Sequence, residues 1–280
     1  MLAPRMASFY VLAIAYLAAS YSTVAHAVNP NILFLMADQV RFDALGTSTK
    51  GAKTPWLDWL AKTGMQMTNG YSSTPTCTPA RSAILTGLKP WYHGLLGYGT
   101  QVAPWYPYQL PQVMADNGYY TVALGKDHFG WNAQNNTPIS HGYQHTQIYD
   151  GVTGEEDEYY DWFETQLPGV NPLGTGAPLL DFNSWNGAPY MFNESLHPTS
   201  WIGQAAVDFF QQWAQSPSAP NFFTKVSFHR PHSPYDPPER LLNATVEEDL
   251  PPIVAGGNCS WDRRFGIDNE WCGPGNADAW

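Results

Sequence analysis

The stretch CTPARSAILTG, residues 77–87, places a cysteine at the start of a short predicted helix. Thr78 can cap this helix and Pro79 suits its first turn, which predicts a helix over residues 79–86. Cys77 then lies at the positive end of the helix dipole, where an anion is stabilised. Arg81 returns beside it after one turn and can grip a tetrahedral oxyanion with its planar guanidinium. These residues leave two interpretations open, a nucleophile in an anion-binding cradle or a capped core helix with a buried cysteine.

The segments around this helix predict an alternation of strands and helices. Three compact apolar runs are predicted to be strands, at 31–37, 120–124 and 221–228. Apolar spacing with Pro and Gly boundaries predicts further helices at 55–63, 109–117 and 200–215. This order favours an α/β sheet with helices on both faces. The Gly- and Pro-rich region 130–198 is expected to form long surface loops, with the acidic run 155–158 on a solvated face.

Polar clusters come directly after the three predicted strands. They are Asp38-Gln39, Lys126-Asp127-His128 and the run from His229 to His232. In open α/β sheets, ligands bind at the carboxyl edge of the strands. We therefore predict that the three clusters share one site.

The first 27 residues have the pattern of an export signal. Arg5 precedes the apolar run 9–19, and Ala25-His26-Ala27 is an A-x-A cleavage site. A membrane anchor is the alternative, but the apolar run is short for a span. We expect an exported protein in an extracellular, periplasmic or lysosomal space, without a membrane attachment after cleavage. Four N-x-S/T sequons, at Asn135, Asn193, Asn243 and Asn258, predict a glycoprotein if the host glycosylates.

Composition restricts the partners and the state of the thiols. The net charge of -11, from 13 Lys+Arg and 24 Asp+Glu, argues against nucleic acid and anionic membrane surfaces as partners. Three cysteines are an odd number for an oxidising compartment. Cys259 and Cys272 could close a small loop, which would leave Cys77 alone.

The motif around Cys77 resembles the sulfatase signature. Residues 77–81 match C-x-P-x-R, and Leu85-Thr86-Gly87 supplies the downstream T-G. The resemblance implies the N-terminal portion of an alkaline-phosphatase-like α/β fold, a mixed sheet with helices on both faces and the C-terminal part missing. In that family a formylglycine-generating enzyme oxidises the cysteine during export, and a hydroxyl of the hydrated aldehyde attacks sulfur. The resemblance thus implies sulfate ester hydrolysis, with Cys77 as nucleophile and Arg81 stabilising it.

The first strand resembles the family's opening strand, whose terminal acid binds a divalent cation. Many members carry Asp-Asp there, whereas this chain has Asp38-Gln39. A glutamine still offers a neutral oxygen to a hard cation. The resemblance implies that Asp38, Gln39 and the modified residue 77 hold one cation, calcium in preference to magnesium.

Two further segments match in family order. GKDHFG, residues 125–130, resembles G-K-x-H-x-G, which implies that Lys126 and His128 contact the sulfate and the formylglycine. SFHRPHSP, residues 227–234, resembles H-x-P-H-x-P, which implies that His232 lies near the leaving oxygen, with His229 as the other candidate. Such groups suit an anionic ester whose leaving oxygen needs charge neutralisation or a proton. The remaining histidines are predicted to be structural or superficial: His93, His141, His145 and His197.

The resemblance covers residues 31 to about 240. The family's second metal half-site, Asp-His-Gly or Asp-Asn-Gly with a later lysine, has no counterpart in these 280 residues. We therefore expect a truncated or partial sulfatase of reduced activity. Its expected parts are a signal peptide at 1–27, an incomplete catalytic domain at 28–242 and an irregular tail at 243–280.

Two alternatives remain open at this point. The Asp38-Gln39 pair is compatible with a phosphodiester or phosphonate ester hydrolase of the same superfamily. The missing half-site is compatible with a non-catalytic isoform that binds sulfated ligands or the full-length enzyme. For the first interpretation, the expected substrate is a sulfated small molecule or polysaccharide, and the sequence does not choose between them.

Overall fold

The computed structural model describes residues 29–49, 51–97, 102, 106–132, 137–151, 157–173 and 187–245. The signal peptide predicted at 1–27, the loop predicted between Cys259 and Cys272, and the sequons at Asn135 and Asn258 lie outside these residues. So does the predicted irregular tail beyond residue 245. In the described part of the chain, every helix is too short or too polar to cross a membrane.

Four parallel strands form the main sheet, in the order β1-β6-β2-β5. Their bounds are β1 (Ile32–Ala37), β2 (Tyr120–Gly125), β5 (His145–Ile148) and β6 (Phe222–Phe228). The short strands β3 (Trp131–Asn132) and β4 (Thr137–Pro138) form a separate antiparallel pair. The three predicted strands are confirmed as β1, β2 and β6. Because the four strands are parallel, their carboxyl ends meet at one edge.

The four predicted helices are present, with one correction at the helix that carries Cys77. The helices are α1 (Pro55–Thr63), α2 (Cys77–Thr86), α3 (Pro90–His93), α4 (Leu110–Asp116), α5 (Glu158–Gln166), α6 (Pro198–Ala214) and α7 (Glu239–Asn243), with a 3₁₀ turn at Glu194–Leu196. Of these, α3, α5 and α7 were not predicted. The prediction that Thr78 caps α2 is wrong. Thr76 is the N-cap residue, without a side-chain cap bond, and Thr78 lies fully buried in the first turn. Cys77 is therefore the first residue of the helix.

The sheet has a hydrophobic cluster on each face. Val122 and Leu124 of β2 pack with Ile202 of α6 and with aromatic side chains of α5 on one face. Ala123, between them, packs with Leu85 of α2 and with α4 on the other. Successive residues of a strand point to opposite faces. The predicted helices on both faces are thus confirmed.

The region from 130 to 198 corrects the expectation of surface loops. It contains β5 and α5, and its aromatic side chains Tyr149, Tyr159 and Phe163 are each only 1% exposed. Within the acidic run, Asp157 corrects the prediction of a solvated face, because it is buried and its carboxylate caps α5 by accepting the Tyr160 N–H at 3.0 Å. The described part of this region therefore contributes β5, α5 and several aromatic side chains to the hydrophobic core.

Candidate active site at the carboxyl edge of the sheet

Cys77 faces an acid at the end of β1. Its Sγ lies 3.6 and 3.8 Å from the two carboxylate oxygens of Asp38, and the cysteine is a free, half-buried thiol. Burial raises the pKa of the Cys77 thiol, and the Asp38 charge adds to this effect while Lys126 opposes it. The unmodified side chain is thus kept as a neutral thiol instead of a thiolate.

Two positively charged side chains hold Asp38 in place. Lys126 Nζ lies 2.7 Å and Arg81 Nη2 lies 3.2 Å from the same carboxylate oxygen. Burial opposes ionisation of Asp38, but the charges of Lys126 and Arg81 outweigh it and lower the pKa to about 2. The main chain fixes the acid as well, because its N–H donates to the Phe228 carbonyl at 3.0 Å. Asp38 is therefore ionised throughout the neutral range.

Arg81 joins the three polar clusters. Its Nη1 donates to the Lys126 carbonyl at 2.6 Å and to the Ser227 hydroxyl at 3.2 Å, while Nη2 reaches Asp38. The side chain is buried, and the single turn from Cys77 to Arg81 brings both to the sheet edge. One guanidinium thus ties together the carboxyl ends of β1, β2 and β6.

The loop after β2 presents Lys126 and His128. Both side chains are buried, and the Lys126 N–H donates to the Ser227 carbonyl at 2.8 Å. His128 adopts a left-handed backbone with φ 57°, a conformation that non-glycine residues seldom adopt. Burial lowers the pKa of His128 to about 4, despite the opposing charge of Asp150. His128 is thus a neutral imidazole at pH 7.

The segment after β6 presents the remaining histidines. The His232 and His229 rings lie edge to face, with centroids 4.7 Å apart. His232 Nδ1 lies 2.8 Å from the Ser233 carbonyl, which can only accept, so Nδ1 is the donor and Nε2 carries no proton in the neutral ring. Burial lowers the pKa of His232, and the nearby Lys126 charge lowers it further.

A buried ion pair anchors this second histidine segment. Arg230 makes a two-bond contact with Asp236, at 2.6 and 2.7 Å, and its Nη1 lies 2.8 Å from His229 Nδ1. His197 also reaches Asp236, at 3.4 Å. Because an arginine only donates, His229 accepts through Nδ1. The sequence reasoning missed Arg230 and Asp236, although Arg230 lies inside the quoted motif.

Gln39 is less closely engaged than the other predicted residues. It is exposed, has a left-handed φ of 61°, and its amide nitrogen lies 3.5 Å from the Tyr235 hydroxyl. The structure thus brings Asp38, Cys77, Arg81 and Lys126 into direct contact. The charges of Asp38 and Lys126 affect the pKa of both His128 and His232.

The donor atoms at the site are of the type that a hard cation prefers, but the described residues provide too few of them. Asp38 and Gln39 supply oxygen donors, which calcium and magnesium prefer. Among the residues that the structure describes, no group of three His, Cys, Asp or Glu side chains could hold a metal ion. Calcium takes six to eight oxygens. The described side chains thus form at most one side of such a site.

A groove of about 820 Å³ runs beside Cys77. Polar groups line its floor, among them Asp38 and Arg81, and Val40, Tyr71 and Leu88 add apolar surface. The groove gives an extended ligand access to the residues at the carboxyl edge.

The four histidines that were predicted to be structural or superficial lie in different environments. His93, His141 and His197 are buried, and His145 is exposed. His93 packs under the first turn of α2, where it contacts the Pro79 carbonyl.

Comparison with known proteins agrees with this geometry. The family model described as Sulfatase matches residues 30–251. An arylsulfatase from Clostridium perfringens is 35% identical over 255 residues, covering 87% of this chain and 51% of the relative.

Solved structures show the same fold. A phosphonate monoester hydrolase of Agrobacterium radiobacter has a TM-score of 0.64 at 22% identity, covering 85% of this chain and 48% of that one. A protein solved in complex with its substrate, D-glucosamine-2-N,6-O-disulfate, has a TM-score of 0.55 at 21% identity, covering 80% of this chain and 39% of that one. The chain spans about half the length of the arylsulfatase and of the hydrolase that it matches.

Proposed function

The chain belongs to the sulfatase family, and from this premise we propose that it hydrolyses sulfate esters at the site around Cys77. The observation that carries the proposal is the contact of residue 77 with Asp38, beside Arg81 and Lys126. These side chains have two positive charges and one negative charge, a surplus of one. A sulfate monoester carries one negative charge, so these side chains attract it.

The state of Cys77 argues against a thiolate as the nucleophile. A nucleophilic cysteine needs a thiolate, which neighbouring cations and helix N-termini favour and burial disfavours. Here burial and Asp38 raise the pKa of the thiol. Sulfatases generally use a formylglycine and a metal ion. We propose that Cys77 is modified during export, by a formylglycine-generating enzyme, and that the hydrated aldehyde then supplies the attacking oxygen.

Each neighbouring residue has its own role in this proposal. Arg81 and Lys126 are the cations for the sulfate oxygens, and burial strengthens their attraction for an anion because the local dielectric is low. His128 is neutral and contacts the sulfate or residue 77 as a hydrogen-bonding group. His232 offers Nε2 to the leaving oxygen, because Nδ1 is occupied by the Ser233 carbonyl.

A divalent cation completes this proposal. Asp38 and Gln39, with an oxygen on the modified residue 77, are its candidate ligands, and calcium suits them better than magnesium because it tolerates irregular oxygen geometry. When bound, such a cation offsets negative charge and makes the attacking hydroxyl more acidic. Further oxygens must come from water, from the substrate or from polypeptide beyond the described residues.

The groove beside Cys77 can admit a sulfated small molecule or a sulfated polysaccharide. Tyr71 and Leu88 can pack against an apolar or sugar ring while the sulfate lies near Arg81. A fold neighbour was solved with a sulfated glucosamine as its substrate. We propose the same chemical class for this chain, in an extracellular, periplasmic or lysosomal space.

The first test is made on protein exported by a host that has a formylglycine-generating enzyme. Mass spectrometry of the peptide containing Cys77 should find formylglycine, and the protein should hydrolyse an aryl sulfate with added calcium. Cys77→Ala, purified identically, should lose this turnover. An unmodified thiol together with an inactive protein would refute the proposal.

Phosphodiester or phosphonate ester hydrolysis is the second candidate. A phosphodiester also carries one negative charge, so the surplus charge of the site does not separate it from a sulfate ester. Gln39, which is neutral where many sulfatases carry an acid, is the observation that keeps it open. Turnover of an aryl phosphodiester that exceeds turnover of the aryl sulfate would favour it. If neither ester is hydrolysed but a sulfated sugar binds, the non-catalytic interpretation gains support.

A further inference from the structure

Asp150, two residues after β5, lies behind the loop that carries Lys126 and His128. The residue is 2% exposed. Its Oδ1 accepts two main-chain N–H groups, that of Asp127 at 2.8 Å and that of His128 at 3.0 Å. A single carboxylate oxygen therefore holds two consecutive amides of the loop.

The loop needs such support because its backbone is strained. The left-handed φ of 57° at His128 is unfavourable for a residue with a side chain. Such conformations persist where the surrounding structure fixes them. Asp127 contributes by accepting the Phe129 N–H at 2.9 Å, and the Ser227 carbonyl accepts from Lys126. Asp150 bonds to the amide of His128 itself.

Asp150 is in turn fixed from α5. Its own N–H donates to Asp157 Oδ2 at 3.2 Å, and Asp157 is the N-cap residue of that helix. Among the residues that the structure describes, none of Asp127, Asp150 and Asp157 forms an ion pair with Lys or Arg. Burial raises the pKa of Asp127 and of Asp157 to about 8. The charge of the buried Lys225 opposes this effect at Asp127. Burial of such polar groups is costly, which favours a role in holding the loop.

We propose that Asp150 is a positioning residue that sets the backbone of the Lys126–His128 loop and thereby aims both side chains at the sulfate. Charged acceptors form the stronger hydrogen bonds, and one oxygen here serves two donors. The inference rests on the proposed function, because its catalytic consequence requires that Lys126 and His128 act on the ester. Asp150 itself does not touch the ester or residue 77.

The test compares three variants of the full chain. Asp150→Ala leaves both loop amides without their acceptor, and Asp150→Asn keeps one oxygen for them while removing the charge. Glu158→Ala is the matched control, because its carboxylate also accepts a main-chain N–H, that of Ile148 at 2.7 Å, but does not touch the loop. Asp150→Asn also keeps the test decisive if the alanine variant fails to fold.

We expect Asp150→Ala to lower kcat for an aryl sulfate about 100-fold, because displacement of catalytic groups by about 1 Å costs that much. Asp150→Asn should recover at least a tenth of the lost rate, and Glu158→Ala should retain the wild-type kcat. Retention of kcat within about threefold in Asp150→Ala, or an equal loss in Glu158→Ala, would overturn the proposal.

Amide hydrogen exchange supplies a readout that does not require activity. In Asp150→Ala, the amides of Asp127 and His128 should exchange about tenfold faster, since exchange follows local opening. The amides of β1 should keep their wild-type rates. If the wild-type protein hydrolyses no ester, the proposed function fails, and the exchange result alone decides whether Asp150 holds the loop. Unchanged exchange at Asp127 and His128 would refute that.

Discussion

Substitution of Gly125 by alanine should separate two strand ends at the site. Gly125 is the last residue of β2, with φ 85°. An added Cβ would lie less than 3.0 Å from the Ser227 carbonyl oxygen and 3.0 Å from Ile202 Cδ1. That carbonyl accepts the Lys126 N–H at 2.8 Å. The clash therefore falls on the hydrogen bond that joins β2 to β6 at the site.

The expected magnitude has two parts. A left-handed backbone costs a residue with a side chain about 1–2 kcal/mol. Loss of a buried hydrogen bond costs about 1–3 kcal/mol more. We expect Gly125→Ala to lower the free energy of unfolding by roughly 2–5 kcal/mol, the sum of these two. Ordinary van der Waals separation requires the strand ends to move apart by about 1 Å, which would lower kcat about 100-fold.

Gly118→Ala is the matched control. Gly118 has nearly the same φ, 84°, but an added Cβ would meet no heavy atom within 4 Å. It should therefore show only the backbone cost of about 1–2 kcal/mol and keep its activity. Urea unfolding of both variants, followed by circular dichroism, measures the difference. Equal losses of stability in Gly125→Ala and Gly118→Ala would refute the reasoning.

Three further predictions concern stability. Asp236→Ala should lower the free energy of unfolding by about 3–5 kcal/mol, because it leaves Arg230, whose side chain is only 12% exposed, without its carboxylate partner. Glu194→Ala, which breaks the exposed pair with Arg240, should change the urea midpoint little, and similar losses in the two variants would contradict this. Ile202→Ala should cost about 2–5 kcal/mol, because the side chain is fully buried, and an unchanged midpoint would exclude it from the core. Burial lowers the pKa of His141 to about 4 from its ordinary value of 6.5, so the stability it contributes is present above pH 6.5 and lost as the pH falls towards 4. His141→Gln should reduce the decline in unfolding free energy between pH 6.5 and 4 by up to about 1.4 kcal/mol per pH unit. An unchanged slope would show that other titrating groups cause the decline.

The main strands could be predicted from the sequence because each is an apolar run that ends in polar residues. β1, β2 and β6 differ from the predicted runs by no more than one residue at either end. Their parallel pairing then brings the polar clusters to one edge, as the sequence implied. The contact of Arg81 with both Asp38 and Lys126 follows from this convergence.

The missed elements share a different physical character. β5 is only four residues long, with the partly polar sequence HTQI, and its identity as a strand depends on pairing with Val122 to Gly125 of β2. α5 is polar on average and buries Tyr159 and Phe163. Sparse aromatic side chains in a Gly- and Pro-rich region resemble a loop in sequence, although they supply much of one hydrophobic cluster.

The residues that support the site could not be predicted from the sequence either. Asp150 acts on amides 22 and 23 residues earlier in the chain, and Ser227 receives Arg81 from a distant helix. No local spacing signals such contacts. The motifs identify side chains that face a ligand, whereas the side chains that hold those residues in place depend on the tertiary fold.

The order of the strands determines how late during synthesis the fold can enclose Cys77. β1 pairs with β6, which lies about 190 residues later, and Leu85 of the Cys77 helix packs in one cluster with Phe223 of β6. Neither contact can form until β6 has been made. At synthesis rates of 5–20 residues per second, Cys77 would wait roughly 8–30 s after its own incorporation. During that interval the thiol lies in a chain without its final sheet, so a modifying enzyme can reach it before the fold encloses it.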